Sequence, residues 1–308
     1  MNKKILAIGV AAALSVTAVG MMAGCGATGS GEAETAMDIV AAVAREAGSG
    51  TRGAFDELVA NAEGNTIDDA LEGGALASVV SEESSTAAVI TNVARSYGIL
   101  GYASLGSYLE NTDTVQAVNV NGVEATRENI LSGDYELSRP FMLCYQNYDE
   151  LSDLAKNLIS FIESTEGQAI VGEDYINLPE VEDAAGEYTP YTGSETTLTI
   201  TGSTSVEPLM QDLVAAFEAA NPGNNFTVTI TGSGSGAGIA DAQEGRNDIG
   251  MSSRALTDEE KETLTEHQIA TDGIAVIVKL GSELTNVTFD QLYNLYINGT
   301  PIVVGEED

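Results

Sequence analysis

Histidine is all but absent from this chain of 308 residues, and cysteine nearly so. The one histidine, His267, leaves no set of imidazoles to hold a metal, and no zinc-type Cys/His spacing occurs. A Ser-His-Asp triad would rest on that single residue, which lies in an acidic, helix-like stretch (259–268) with no nucleophile-elbow serine nearby. An enzyme is therefore the weaker class, and His267 reads as a surface residue. Cys25 and Cys144 are too few for a disulfide framework. Basic side chains are scarce as well: 12 Lys and Arg stand against 47 Asp and Glu, a formal charge of −35. Such a field repels nucleic acid and anionic membrane surfaces alike. Any anion site here has to work through short, desolvated hydrogen bonds rather than long-range attraction. What the chain does have is apolar residues, 43% of the total, enough for packed cores in one large or two modest domains.

The first residues carry an address. Lys3 and Lys4 precede an apolar run, 5–19, that is too short for comfortable membrane spanning, and Met22-Ala23-Gly24-Cys25 closes it. This resembles a bacterial lipoprotein signal, residues 1–25, with Met22 where leucine is usual. The resemblance implies that Cys25 becomes the lipidated, palmitate-bearing first residue of the mature chain; a plain secretory signal with a coincidental cysteine is the alternative. Residues 26–37, rich in Gly, Ser, Ala, Thr and Glu, read as a flexible tether. The protein is then expected at the outer face of the cytoplasmic membrane, with Cys144 as a lone buried thiol.

The stretch on which the rest turns is Arg45-Glu46-Ala47-Gly48-Ser49-Gly50-Thr51. It follows a short apolar strand, 39–44, and leads into a helical pattern over 54–62. A turn of this kind leaves backbone N–H groups at the helix start without intrahelical partners. Ser49 and Thr51 add hydroxyls, Gly48 and Gly50 let a ligand approach the backbone, and Arg45 offers a forked cation, which together suit a small tetrahedral oxyanion. By itself the stretch reads equally as an ordinary Gly/Ser turn with a helix cap.

Further along, helix spacing is expected over 86–96, a buried strand over 98–103, an alternating strand over 115–120 with an Asn121-Gly122 hairpin turn, and a short helix over 126–131. Residues 137–145 read as a crossing strand, 151–164 as an amphipathic helix and 166–176 as a short helix. Pro, Gly, Glu and Thr mark 177–196 as a linker. Three more strand–turn–helix units follow. One carries Gly202-Ser203-Thr204-Ser205 before a helix with Pro208 in its first turn; the next has the glycine-rich turn 232–238, and the last ends in Ser252-Ser253-Arg254. A buried strand over 274–278 and a helix over 289–296 complete the pattern. Gly/Ser/Thr turns repeated at strand ends are the mark of a site built from helix N-termini along one edge of a parallel sheet. The turn 232–238 lacks the lysine of a nucleotide-binding P-loop. No cofactor is expected.

Thr199-Ile200-Thr201-Gly202-Ser203-Thr204-Ser205-Val206-Glu207-Pro208, the turn 232–238, the segment 248–254, Asp272-Gly273-Ile274-Ala275-Val276 and the Arg45–Thr51 stretch together resemble the phosphate-binding lipoproteins of bacterial phosphate ABC transporters. Residues 98–106 and Leu137-Ser138-Arg139-Pro140-Phe141 look similar too. The likeness covers nearly the whole mature chain, but the order differs: in that family the Thr-Gly-Ser-Thr-Ser unit comes first. A circular permutation joined through 177–196 and opened before Arg45 accounts for this; a mis-assembled tandem gene, completed by exchange between two chains, is the rival account. The resemblance implies an α/β, two-lobed type II periplasmic-binding-protein fold (a Venus flytrap). One lobe would be 38–138 completed by 279–308, and the other 139–278.

The same resemblance implies inorganic phosphate in the cleft, an ABC transporter permease as partner, and contact with the membrane through the lipid anchor alone. Thr204, Ser205, Ser235 and Ser253 would donate from one lobe. From the other would come Arg45, bidentate, with Ser49, Gly50 and Thr51. Phosphate at neutral pH carries a proton that sulfate lacks, so discrimination needs an acceptor; better-known members place an Asp where Ser253 stands. Asp272 is the candidate substitute, or equally a turn cap. Arg254 reads as the partner of a nearby carboxylate, Glu46 as a holder of Arg45, and Arg139 as structural at the lobe crossing. The alternatives in function are another tetrahedral oxyanion, sulfate or molybdate, or a surface lipoprotein that keeps the fold without the transport role.

Overall fold

The computed structural model describes residues 37–178, 186–223 and 225–305. Cys25, the signal, nearly all of the tether and residues 179–185 of the expected linker lie outside them. Eleven strands are described: β1 Ala41–Arg45, β2 Val80–Glu83, β3 Ile99–Ser104, β4 Val115–Ala117, β5 Asn119–Val120, β6 Ser138–Tyr145, β7 Thr197–Gly202, β8 Thr227–Gly232, β9 Ile249–Ser252, β10 Thr265–Lys279 and β11 Asn286–Val287. The main sheet runs β2-β1-β3-β10-β6-β9-β7-β8, with β4 added on β10. β1 is parallel to β2 and β3, and β7 is parallel to β8 and β9. Between these two groups stands the antiparallel pair β10 and β6, joined to each group by an antiparallel ladder.

Two apolar cores form around this sheet. One gathers Val43, Phe55, Val89, Leu100, Tyr102, Tyr296 and the run 274–278; the other gathers Phe141, Leu143, Leu158, Phe161, Ile200, Leu213, Phe217, Ile249 and Ile269. β10 serves both, its early residues Ile269 and Ala270 in the second core and Ile274 onward in the first. β10 passes from one core to the other at Thr271–Gly273.

This long strand corrects the sequence reading of 259–268. The helix there is a single turn, Asp258–Lys261, closed by a Thr257/Glu260 capping box. His267 lies on β10 opposite Leu143, partly buried, with Nε2 3.2 Å from Glu163 Oε1. Likewise 115–120 is two short strands rather than one, while Asn121 and Gly122, at φ 52° and 81°, make the tight turn that pairs Val120 with Val123. The linker is less loose than its composition implies. Tyr188 packs edge-on against Phe161, and the Tyr191 N–H donates to Asn221 Oδ1 at 2.7 Å. Cys144 is fully buried, and burial pushes its thiol up to about 12.

The two ends of the described chain meet. Ile39 and Ile302 exchange both backbone hydrogen bonds at 2.9 Å, beside β1.

Candidate functional site: a hydroxyl and guanidinium cluster at four helix starts

The parallel strands of both groups end facing the β10/β6 crossing, and helices begin where they end. The helix Gly50–Leu58 follows β1, Thr86–Val93 follows β2, Glu207–Ala220 follows β7 and Ser235–Gln243 follows β8. The glycine-rich turn is thus mostly helix, which starts at Ser235 directly after Gly234 at φ 91°. Each helix start presents unpaired N–H groups and roughly half a positive charge. Four of them converging supply a local positive potential inside a strongly acidic chain.

The side chains at these starts touch. Thr51 Oγ1 lies 2.9 Å from Ser205 Oγ, which lies 2.9 Å from Thr86 Oγ1. Arg45 Nη1 donates to Thr86 Oγ1 at 3.0 Å. Ser235 Oγ lies 3.3 Å from Ser253 Oγ and accepts from the Ser253 N–H at 3.1 Å. Gly50 joins the two groups: a Cβ on it would stand 2.7 Å from Ser235 Oγ and 2.8 Å from Ser253 Oγ. All of these side chains are buried, Arg45 to 2% exposure. The Gly236 N–H also donates to the Gly48 carbonyl at 2.9 Å, and the Thr86 N–H reaches Thr204 Oγ1 at 3.4 Å. Residues from both ends of the sheet thus close on one another around the cluster. A cleft of about 440 Å³, lined among others by Thr86, Thr204, Glu110, Asn111, Glu207 and Gln211, opens beside it.

The sequence-derived set is brought together except for Ser49 and Asp272, and Arg45 enters it by one edge only. The Ser49 hydroxyl caps its helix, accepting from the Arg52 N–H at 3.3 Å. Arg45 does not turn its fork to the cluster: Nε and Nη2 both donate to Glu46 at 2.9 Å, and Nη1 alone reaches Thr86. Asp272 is not placed among the hydroxyls as an acceptor. Its carboxylate accepts from Ser104 Oγ at 3.0 Å and from Arg139 Nη2 at 3.1 Å, fully buried. Burial raises its pKa, while Arg139 and Ser104 pull it back down. Arg254 is paired with Glu260 through both oxygens.

Thr86 was not among the expected site residues. Its signal was present, a Ser-Ser-Thr at a strand-to-helix turn, but reads as a helix cap, a role that Ser85 fills. Tyr102 is another addition: its hydroxyl accepts from the Arg45 N–H at 3.1 Å while its ring stacks on Phe55.

One turn beyond the cluster, Arg52 bonds Asp56, Glu82 and the Arg45 carbonyl. Burial pushes the Asp56 carboxyl up to about 6, against the pull of Arg52. A carboxyl that binds its proton more tightly in the folded chain destabilises that chain as pH rises, between its unfolded value near 4 and about 6. Urea unfolding at pH 4 to 7 should show the stability of the wild type falling relative to Asp56→Asn by at most about 3 kcal/mol across that window, then running level.

The sequence profile described as a PBP superfamily domain matches residues 33–166 and 189–304. A phosphate-binding protein PstS 2 of Streptococcus pneumoniae is 36% identical over 296 residues, 96% of this chain and 95% of that protein. Its namesake from Streptococcus agalactiae is 33% identical over 304 residues, 97% of each chain. The crystal structure of a phosphate ABC transporter phosphate-binding protein from Streptococcus pneumoniae aligns with a TM-score of 0.63 at 37% identity, covering 85% of this chain and 97% of that one.

Proposed function

Because this chain belongs to the PBP superfamily, with the two-domain α/β fold of a periplasmic binding protein, we propose that it is the extracytoplasmic solute-binding component of an ABC transporter, capturing inorganic phosphate between its lobes and handing it to the permease. The observation that carries this is the Thr51–Ser205–Thr86–Arg45 chain of contacts, in which donors from both sheet ends meet at three helix starts. Each hydroxyl can turn from its neighbour to an anion oxygen, and the helix starts favour negative charge without any long-range field. The named role of the streptococcal relatives supports the same ligand.

The lobes in this reading are 38–138 with 279–308 and 139–278, and the two apolar cores support that division with its boundary moved to 271–273. The chain order is read as a circular permutation of the wider family. In its favour, Ile39 and Ile302 are paired neighbours, and the streptococcal relatives align along nearly the whole length, which a single mis-assembled gene would not explain. Anchoring through lipidated Cys25 belongs to the same reading, supported by the signal sequence; no helix among the described residues is long and apolar enough to cross a membrane. The chain binds rather than catalyses.

With Asp272 turned elsewhere, hydroxyls have to take the phosphate proton. They can accept it, yet do not repel a sulfate oxygen as a carboxylate would. Titration calorimetry with phosphate, sulfate and molybdate tests the reading: phosphate is expected to bind and to raise the Tm. Tighter sulfate or molybdate binding replaces the anion, and no binding of any of the three overturns the function.

Gly50 gives a second check. An alanine there would press its methyl against the Ser235 and Ser253 hydroxyls and the Ser253 backbone carbon, at 2.7 to 2.9 Å, forcing the two helix starts apart. Gly50→Ala is expected to weaken phosphate roughly ten-fold and to lower the Tm in phosphate-free buffer.

A further inference from the structure

Arg139 lies on β6 at the lobe crossing, paired with Asp272 on β10. On the other side of β6, β9 places Ser252 opposite Met142, three residues from Arg139, and Ser253 follows. Asp272 in turn accepts from Ser104, at the end of the strand beside β1, which ends in Arg45. Arg139 therefore lies on the crossing ladder, between the strands that deliver Ser253 and Arg45.

Its side chain is 1% exposed and its guanidinium only partly used. Nε and Nη2 face Asp272, whereas Nη1 is buried with no hydrogen-bond partner among the described residues. The other buried and half-buried arginines do not leave Nη1 so. In Arg52 it reaches the Arg45 carbonyl and Glu82, in Arg127 the carbonyls of Gly172 and Tyr175, in Arg254 the Ala255 carbonyl, and in Arg45 the Thr86 hydroxyl. A purely structural ion pair at a crossing would be finished off in the same way, since a buried donor without an acceptor is costly. Burial lowers the Arg139 pKa and Asp272 raises it, while the Arg45 cation lowers it further; the two guanidinium groups thus feel each other.

We propose that Arg139 is a second guanidinium contact for the bound oxyanion, donating from Nη1 opposite Arg45, with Asp272 as the residue that positions it. The proposal rests on the oxyanion reading of the hydroxyl cluster and deepens it. An anion between the two arginines satisfies Nη1 and removes their mutual repulsion in one step. Asp272 then serves the site from behind, holding the fork by Nε and Nη2 so that Nη1 is aimed.

Two variants separate this from a structural pair, each titrated with inorganic phosphate in the full chain. Arg139→Lys keeps a cation for Asp272 but has no Nη1, and should weaken phosphate at least ten-fold. Asp272→Asn keeps the guanidinium and an amide oxygen to hold it but compensates the cation less, and should bind phosphate more tightly than the wild type. A structural role would move both the same way, in proportion to the loss of Tm. If the two Kd values change together, or Arg139→Lys binds as the wild type does, the proposal is overturned. Should either single variant fail to fold, the charge-neutral pair Arg139→Met with Asp272→Leu replaces it; an unchanged Kd there is equally fatal. Failure of the underlying reading looks different, since the wild type itself would then bind no oxyanion.

Discussion

Substituting alanine for Arg45 is expected to raise the phosphate Kd by two to three orders of magnitude while leaving the chain folded. The Arg45 side chain is 2% exposed and, among the described residues, is the one cation that touches the hydroxyl cluster directly, through Thr86. Removing one member of a desolvated, hydrogen-bonded charge pair costs about 2–5 kcal/mol, of which about 3–4 corresponds to the expected change in Kd. The folded state loses less. Glu46, released from its grip on Arg45, has a side chain 32% exposed and can hydrate, and Thr86 keeps Ser205 as a partner. Lysine at the same place should be intermediate: a point charge supplies attraction but cannot hold Glu46 with one edge and reach Thr86 with the other. Calorimetry with phosphate, alongside the Tm of each phosphate-free variant, reads both quantities. A Kd that does not move would take Arg45 out of the site.

Much of this arrangement was legible because it is local. Gly, Ser and Thr clustered after an apolar run already say strand, turn and helix start, and six of the expected residues (Arg45, Gly50, Thr51, Ser205, Ser235 and Ser253) meet in one cluster, with Thr204 at its edge. What escaped was decided by partners distant in the chain. Nothing near Asp272 tells that Arg139, 133 residues away, sits across the ladder and claims its carboxylate. Thr86 belongs to the cluster only because β2 lies beside β1 in parallel register, which sets its helix start next to that of Gly50. His267 misled for a related reason. The acids around it suggest an exposed helix, yet His267 lies in the outer part of a strand whose residues Ile274–Val278 are apolar and fully buried; the ladder with β6 overrides the local preference. In this structure the fork edge of Arg45 is taken by the neighbouring Glu46, the residue expected to hold it, and Nη1 faces the cluster.

The same ladder carries the largest expected effect on stability. Asp272→Ala should cost the phosphate-free protein about 3–5 kcal/mol, because it leaves the Arg139 cation buried without its counter-ion. Both side chains are essentially inaccessible, at 1% and 0% exposure, so water cannot take the place of the carboxylate as it can at the surface pair Arg246–Glu244. Ser104 loses its acceptor in the same step. For a chain of this size the change corresponds to a fall in Tm of roughly 10 °C, whereas Asp272→Asn, which still offers an oxygen to Arg139 and an amide N–H to the Ser104 hydroxyl, should lose much less. Phosphate supplies the discriminating condition. If Nη1 faces the anion, a bound phosphate partly replaces the missing carboxylate, so saturating ligand should raise the Tm of Asp272→Ala by more than it raises that of the wild type. If the pair only braces the crossing, the two increments will be equal. Differential scanning calorimetry of both chains with and without phosphate decides between these outcomes, and a drop below about 1 kcal/mol in the ligand-free comparison would show that the pair does not hold the crossing.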